Sequence, residues 1–361
     1  MVRFVLIRIV TAICLLFVLS TITFLVYAAI PANPAGFLVD IQHAKPGQIE
    51  AANHALGLDH SLAYRYVAYL GHLLQGDFGT AWSTLVIGYD GQIHGHAVAE
   101  MVRDAAGVTA SVILGGAMVL ILVAVPLALI SARAPRSILD RTVVAASLVG
   151  ISTHPLVIGL VLELLFTVHW RLLDGGYCNF FHHATPPATT HVFGSSQALV
   201  ACQGPKDWAT HLILPWITFA AFFVALYMRI LRARLLETLG THYVRTARAK
   251  GASETRVLTK HALPNVIAPT IVMLAMDAGT AIGISIYIEV VYGLQGIGHL
   301  VLDALSGERG YDLPLILGVM FISATAIIAL NTIADVIARL IDPRITSISR
   351  VGAGGARSGL A

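Results

Sequence analysis

Four carboxylates stand inside stretches that are otherwise apolar: Glu163, Asp277, Glu289 and Asp335. An ionised side chain at membrane depth is costly and is a functional candidate by default. Glu289 and Asp335 lie near the ends of their stretches, where interhelical hydrogen bonds or water satisfy a carboxylate. Asp277 lies deeper. Asp277 is therefore the first candidate to face a solute pathway, and Glu289 joins it as a pathway candidate if the chain couples transport to an ion. Catalysis has no comparable seat. The chain holds no Gly-Lys pair, so it lacks a phosphate-cradling P-loop, and it has no G-x-S-x-G, H-E-x-x-H or C-x-x-C pattern. ATP hydrolysis by this chain itself is not expected, and neither is any catalytic residue. Its 15 histidines include His94 and His96 as H-G-H, the pair His182–His183, and His191. Imidazole suits nickel and zinc, but no spacing matches a tetrahedral site, so no metal ligand is assigned.

The elements that must position these residues are membrane helices. Over 361 residues, 57% are hydrophobic and 12% charged, with a mean hydropathy of +0.78. Soluble domains carry roughly 25% charged residues, so half that value points to a bilayer, and the basic residues flank apolar spans instead of forming a nucleic-acid surface. A hydrocarbon core of about 30 Å needs roughly 20 apolar residues as helix. Six stretches qualify: 9–30, 109–130, 143–166, 212–228, 267–291 and 315–340. The expected fold is an all-α polytopic membrane protein of six transmembrane helices. Pro126 and Pro155 fall within spans two and three, where each removes a helical hydrogen bond and favours a kink. Gly279 and Gly283 permit close helix contact in span five.

Lysine and arginine set the orientation. With the N-terminus inside, 17 of the 23 Lys and Arg residues fall in cytoplasmic segments. Both termini are then cytoplasmic, residues 1–30 form the N-terminal tail and first helix, and the core runs over 109–346. The external regions are a helical subdomain over 31–108 and an irregular loop over 171–211. In the subdomain Leu62, Tyr66, Tyr69, Leu70 and Leu73 recur at helical spacing, closed by Gly76 and Gly79. Cys178 and Cys202 both fall in the external loop, a compartment that permits disulfides. They are expected to bridge, two free thiols being the alternative. The tail 347–361 lacks apolar content and reads as disordered.

The longest polar, basic interval inside the core is the cytoplasmic loop 229–266, and within it the stretch from Thr241 to Asn265, THYVRTARAKGASETRVLTKHALPN. It reads as a short helix, a turn at Gly251, a second short helix capped by Ser253, and a stop at Pro264. A folded basic loop of this kind is where a cytoplasmic partner takes hold.

Those residues also carry a resemblance. The stretch is similar to the cytoplasmic signature of permease subunits of bacterial ABC importers, which reads E-A-A, three residues, Gly, nine residues, Ile-x-Leu-Pro. Gly251, Leu263 and Pro264 fall at the matching spacing. Arg245-Thr246-Ala247 stands in place of E-A-A and His261 in place of Ile. R-T-A-R-A-K-G and H-A-L-P-N resemble the dipeptide/oligopeptide/nickel class, B-type subunit. The resemblance extends to Ala55-Leu56-Gly57-Leu58-Asp59, Gly76-Asp77-Phe78-Gly79, Glu289-Val290-Val291-Tyr292, Gly296-Ile297-Gly298, Asn331, Asp335 and Asp342-Pro343-Arg344. The chain departs from the family at Arg309-Gly310-Tyr311-Asp312-Leu313-Pro314 and in its enlarged loop around Cys178 and Cys202.

The resemblance implies a type I ABC importer-like permease fold and a binding-protein-dependent importer, for di- or oligopeptides or a solute of similar size. It implies that Arg245, Thr246, Ala247, Arg248, Lys250, Gly251, Ala252, Ser253, Leu263 and Pro264 engage an ATP-binding subunit. The implied partners are a homologous second permease, two ATP-binding subunits, an external substrate-binding protein and the bilayer of the bacterial inner membrane. No cofactor is implied on this chain, ATP and Mg being held by the ATPase subunits. The competing readings are an ion-coupled secondary transporter using Asp277 and Glu289, and a membrane enzyme using the external histidines.

Overall fold

The computed structural model describes residues 2–29, 60–87, 93–173, 178–179, 189–192, 195–198, 200–202, 204–306 and 311–341. Two long helices make its spine: α3 (Val98–Arg133) and α6 (Pro205–Leu239). They approach closely because α3 carries Gly115 and Gly116 where α6 carries Trp216 and Phe219. A Cβ on Gly115 would enter the Trp216 indole, and one on Gly116 would enter the Phe219 ring. The indole N–H of Trp216 donates to the Ser111 carbonyl at 2.9 Å, which sets the register. Phe219, Phe223 and Tyr227 follow one another down the buried face of α6, with successive ring centroids 4.9 and 6.2 Å apart. Such aromatic contacts add to area burial.

Around this pair stand α1 (Val2–Ala29), α4 (Ile138–Ser152), α5 (Pro155–Leu162), α9 (Leu263–Met276), α10 (Ala278–Tyr292) and α12 (Leu313–Ile341). Among the described residues five helical segments are long and apolar enough to cross a membrane: Arg3–Ala29, Val98–Arg133, Pro205–Leu239, Glu254–Met276 and Leu313–Val336. A sixth arises if α10 and α11 (Ile297–Ser306), bent by 69°, count as one. The expected third span is not a single helix. It breaks at Thr153-His154, and Pro155 opens α5 as its first residue, where its missing N–H costs nothing. The expected kink at Pro155 is therefore a helix start. Residues 163–169 continue α5 as a wide π-helical turn. The second span begins eleven residues before the expected Thr109, because Val98, Val102 and Ala105 bury their side chains in the fold.

Ion pairs and caps fix the helix ends. Arg8 of α1 meets Asp335 of α12 at 2.8 Å, so this intramembrane carboxylate has the interhelical role expected of it. Asp312 caps α12 by accepting from the Leu315 amide at 3.1 Å. Its other oxygen accepts both the amide and the hydroxyl of Ser83 at 2.7 Å, holding the short 3-10 turn Trp82–Thr84 against α12. The helical periodicity of 62–73 corresponds to α2 (Leu62–Leu74), whose Tyr66 and Tyr69 rings lie against Phe24 of α1. Gly76, at φ +75°, closes it through bonds from Gly76 N to Leu73 O and from Asp77 N to His72 O.

The described part of the loop expected to be irregular holds short ribbons. β4 (Thr189–Val192) pairs antiparallel with β5 (Ser195–Ala198), and β3 (Cys178–Asn179) pairs parallel with β6 (Val200–Ala201). A further pair, β1 (Val86–Ile87) and β2 (Ile93–His94), precedes α3. The tail 347–361, residues 55–59, His182–His183 and Asp342-Pro343-Arg344 lie outside the described residues.

Glu289 holds the α10–α11 bend. It is fully buried and accepts from Thr109 Oγ1 and from the Gly298 amide, each at 2.7 Å. The same Thr109 oxygen accepts the Ile297 amide at 2.9 Å. The carboxylate thus caps the first turn of α11, where free amides and the helix dipole favour an anion. Gly296 must be glycine, since a Cβ there would enter the Glu289 carboxyl group. Both Glu289 oxygens are engaged inside the fold, so in this conformation Glu289 faces a helix terminus and not an open route. Glu289→Gln, which turns an amide NH2 towards a site lined by donors, is expected to lower stability by about 2 kcal/mol, read as a fall in the thermal unfolding midpoint in detergent.

Candidate functional site

The basic stretch forms an angled pair of short helices at one end of the bundle. α7 (His242–Ala249) leaves the end of α6 with Val244 fully buried, while Arg245, Thr246, Arg248 and Lys250 are exposed. The amides of Gly251 and Ala252 bond back to the Arg248 and Ala247 carbonyls at 2.9 and 3.1 Å, a Schellman closure. Gly251 sits at φ +83° with nothing within 4 Å of where a Cβ would be. The glycine is therefore required by backbone conformation and not by crowding. Ser253 then caps the single turn α8 (Glu254–Arg256) by accepting from the Arg256 amide at 3.4 Å.

Glu254 does more than complement a helix dipole. Its two oxygens take Nε and Nη2 of Arg248 at 2.7 and 3.1 Å, a bidentate pair across the Gly251 turn. Those hydrogen bonds raise the Arg248 guanidinium above its ordinary pKa. Both side chains are substantially exposed, so the pair contributes geometry more than stability.

Pro264 does not stop the helix, contrary to expectation. Residues 257–262 widen into a π-helical turn, with the Leu263 amide bonding to the Leu258 carbonyl, and the chain runs through Pro264 into α9. Proline lacks the N–H that an α-helix needs and its ring crowds the carbonyl four residues back, and a π turn relieves both conflicts. Val257, Leu258 and Ala262 are buried beneath it. Across the top, Asn265 Nδ2 donates to Tyr243 Oη at 3.0 Å and to the His261 carbonyl at 2.9 Å, tying α7 to α9.

An ion pair between a half-buried arginine and a buried carboxylate links this element to the bundle. Arg232 of α6 donates Nε and Nη2 to the two oxygens of Asp140, each at 2.7 Å. Asp140 also accepts the Ser131 hydroxyl from the end of α3 and the Arg136 amide at 2.7 Å. Three helices thus meet at one carboxylate that is nearly inaccessible to solvent. The Arg232 hydrogen bonds, followed by that of Ser131, hold its carboxyl well below the usual range. Asp277 stands where α9 meets α10, half-buried, and accepts the Tyr227 hydroxyl at 2.6 Å. Asp277 and Glu289 are not brought together, each being committed to a different helix junction. No group of three or more His, Cys, Asp or Glu residues with metal-binding geometry occurs among the described residues.

Residues 124–347 match the family described as binding-protein-dependent transport system inner membrane component, and residues 1–113 match its N-terminal component. The chain belongs to this family. It is a multi-pass inner-membrane permease subunit. It is 30% identical over 326 residues to the "Probable D,D-dipeptide transport system permease protein" of Escherichia coli, covering 90% of this chain and 92% of the relative. It is 28% identical to the dipeptide transport system permease protein of the same organism, over 91% and 94% of the two chains. It is likewise 28% identical to the oligopeptide transport system permease protein of Bacillus subtilis, over 91% and 94%.

Of the permease residues named from sequence, the ten from Arg245 to Pro264 gather on the α7–α9 element. Arg245, Thr246, Arg248, Lys250, Gly251, Ser253 and Pro264 are exposed, while Ala247, Ala252 and Leu263 are half-buried. Sequence reading missed the Tyr243–Asn265 tie and the Asp140–Arg232 lock. The available signal for the lock was Asp140 itself, a lone carboxylate within the basic run from Arg133 to Arg141.

Proposed function

We propose that this permease forms, with a homologous second permease, the solute path of an ATP-driven importer for di- or oligopeptides delivered by an external binding protein. The observation that carries the reading is the α7–Gly251–α8 element, exposed and basic outside, anchored by Val244, Val257 and Leu258 beneath. An element of that build moves as a rigid lever when a partner grips its outer face. The partners are two ATPase subunits, which hold ATP and Mg, since this chain lacks the Gly-Lys pair of a P-loop. The peptide assignment is supported by the relatives, which are named as dipeptide and oligopeptide permeases. The ion-coupled carrier weighed from Asp277 and Glu289 is not favoured, because the family consists of binding-protein-dependent systems.

The lever end is cytoplasmic in this reading, together with both termini, as the distribution of 17 of 23 basic residues supports. Residues 31–108 and 171–211 then lie outside. A Cys178–Cys202 bridge belongs to the same reading. The parallel register sets Cys178 beside Val200, two residues from Cys202, and Cys202 is not a free thiol, whereas the side chain of Cys178 lies outside the described residues. Mass mapping of unreduced peptides tests the bridge, and recovery of an alkylated Cys178 without prior reduction would sink it.

Purification from the membrane should bring down two ATPase subunits and a second permease in stoichiometric amounts. The reconstituted assembly with its binding protein should accumulate labelled dipeptide only when ATP is supplied on the side of the lever. Uptake driven by an ion gradient without ATP would overturn the proposal.

A further inference from the structure

The exposed faces of the spans differ in chemistry. Those of α1 and α3 are apolar, for example Leu6, Ile9, Ile13 and Phe17, and Leu114, Met118 and Leu122. Acyl chains suit such faces. Along α10 the exposed positions are Thr280, Gly283 and Tyr287, and Asp277 stands half-buried at the head of the helix. A Cβ on Gly283 would meet nothing within 4 Å, so the face is open there. The row continues onto a second element: the Tyr287 ring meets that of exposed His154 edge-on, with centroids 4.6 Å apart. His154 sits at the break between α4 and α5. Non-helical backbone at membrane depth is tolerated only where it is buried in protein or lines a water-filled cavity.

A carboxylate, two hydroxyls, an imidazole and an open glycine in one row do not belong against lipid. Asp277 lies 14 residues after the start of α9 at Leu263 and 15 before the end of α10 at Tyr292, at the midpoint of the α9–α10 rod, whose backbone bonds run on through it from Asp277 N to Met273 O and from Ala281 N to Asp277 O. One of its oxygens is held by Tyr227, and among the described residues the other has no hydrogen-bond donor. Tyr227 is itself buried on α6, which fixes the carboxylate's position.

We propose that Asp277, Thr280, Gly283, Tyr287 and His154 line the solute path, and that the free oxygen of Asp277 receives the protonated α-amino group of the passing peptide. This rests on the peptide-importer reading. A peptide with a free amino terminus presents an ammonium with three N–H donors, the complement of a half-satisfied carboxylate. The hydroxyls of Thr280 and Tyr287 then solvate the peptide backbone on either side of that point.

The test uses the assembled importer in vesicles, with a labelled dipeptide as probe. Asp277→Asn keeps the shape and an acceptor for Tyr227 but removes the charge. It should lower uptake about tenfold or more, the factor expected for losing one charge-assisted hydrogen bond. Asp277→Glu should retain most of the uptake, and both variants should assemble in wild-type amounts. A second readout does not depend on transport. Thr280→Cys combined with Cys14→Ser should react with a membrane-impermeant methanethiosulfonate, and Leu122→Cys in the same background should not. Wild-type uptake by Asp277→Asn overturns the amino-group site. Failure of Asp277→Asn to assemble with the second permease overturns it too, by assigning the carboxylate to subunit packing. An unreactive Thr280→Cys overturns the path. If the wild-type assembly takes up no peptide, the peptide reading itself fails and the amino-group site falls with it.

Discussion

Gly251→Val is expected to reduce ATP-dependent uptake to background while the protein still inserts in the membrane, whereas Gly251→Asn keeps most of the uptake. The contrast isolates the cause. Space is available at Gly251, because no atom lies within 4 Å of where a Cβ would stand. Only the backbone conformation at φ +83° opposes a side chain. For an ordinary L-residue the left-handed conformation costs roughly 1–2 kcal/mol, with β-branched residues disfavoured further and asparagine tolerated. Valine would pull the turn out of that conformation and break the Schellman bonds to Arg248 and Ala247. α7 and α8 would then lose their fixed angle, and the Arg248–Glu254 pair its geometry. A lever without a fixed elbow transmits no motion. Uptake measured in vesicles, alongside membrane abundance, decides the matter, and a valine variant that transports like the wild type would sink the lever assignment.

The second large effect is on stability. Arg232→Ala leaves the buried Asp140 carboxylate without its bidentate partner, and because Arg232 itself is half-buried the cost is about 2–3 kcal/mol, below that of a fully enclosed pair. The thermal midpoint in detergent should fall steeply. Arg232→Lys should recover only part of it, since an ammonium cannot reproduce the planar fork that takes both oxygens. Replacing the pair by apolar residues, as Asp140→Leu with Arg232→Met, should be milder than Arg232→Ala alone. The pH dependence has a definite sign. Asp140 is held well below its ordinary range, so its contribution is complete above the unfolded value of about 4 and fades as pH falls towards the folded one. The penalty of Arg232→Ala should therefore be constant between about pH 6 and 8 and shrink in acid. A penalty that grew on acidification would contradict the pairing.

These two sites were unequally legible in the sequence. Gly251 could be found from a line of text because a left-handed turn selects one residue type, and because the spacing to Leu263-Pro264 is local. Asp140 and Arg232 are 92 positions apart, and nothing in either neighbourhood pairs them. Likewise the helical face of 62–73 followed from 3.6-residue periodicity, and Gly76 proved to be the residue that closes α2. The split of the third span at Thr153-His154 was signalled by Pro155 only as a kink, because hydropathy averages over a window and does not show whether a proline bends a helix or starts a new one.

The sequence by itself determined that this is a helical membrane protein, where most of its spans lie, and that one basic element turns on a glycine. Those properties depend on side-chain type and short-range spacing, which composition and periodicity record. Only the tertiary structure decided that Glu289 caps α11 across the bend, that Pro264 is carried through by a π turn, and that Asp277 takes its hydrogen bond from Tyr227 on another helix. A carboxylate in an apolar span has the same letter whether it seals a helix end or faces an open row. The difference lies in which donors the fold brings within 3 Å, and those come from residues distant in the chain.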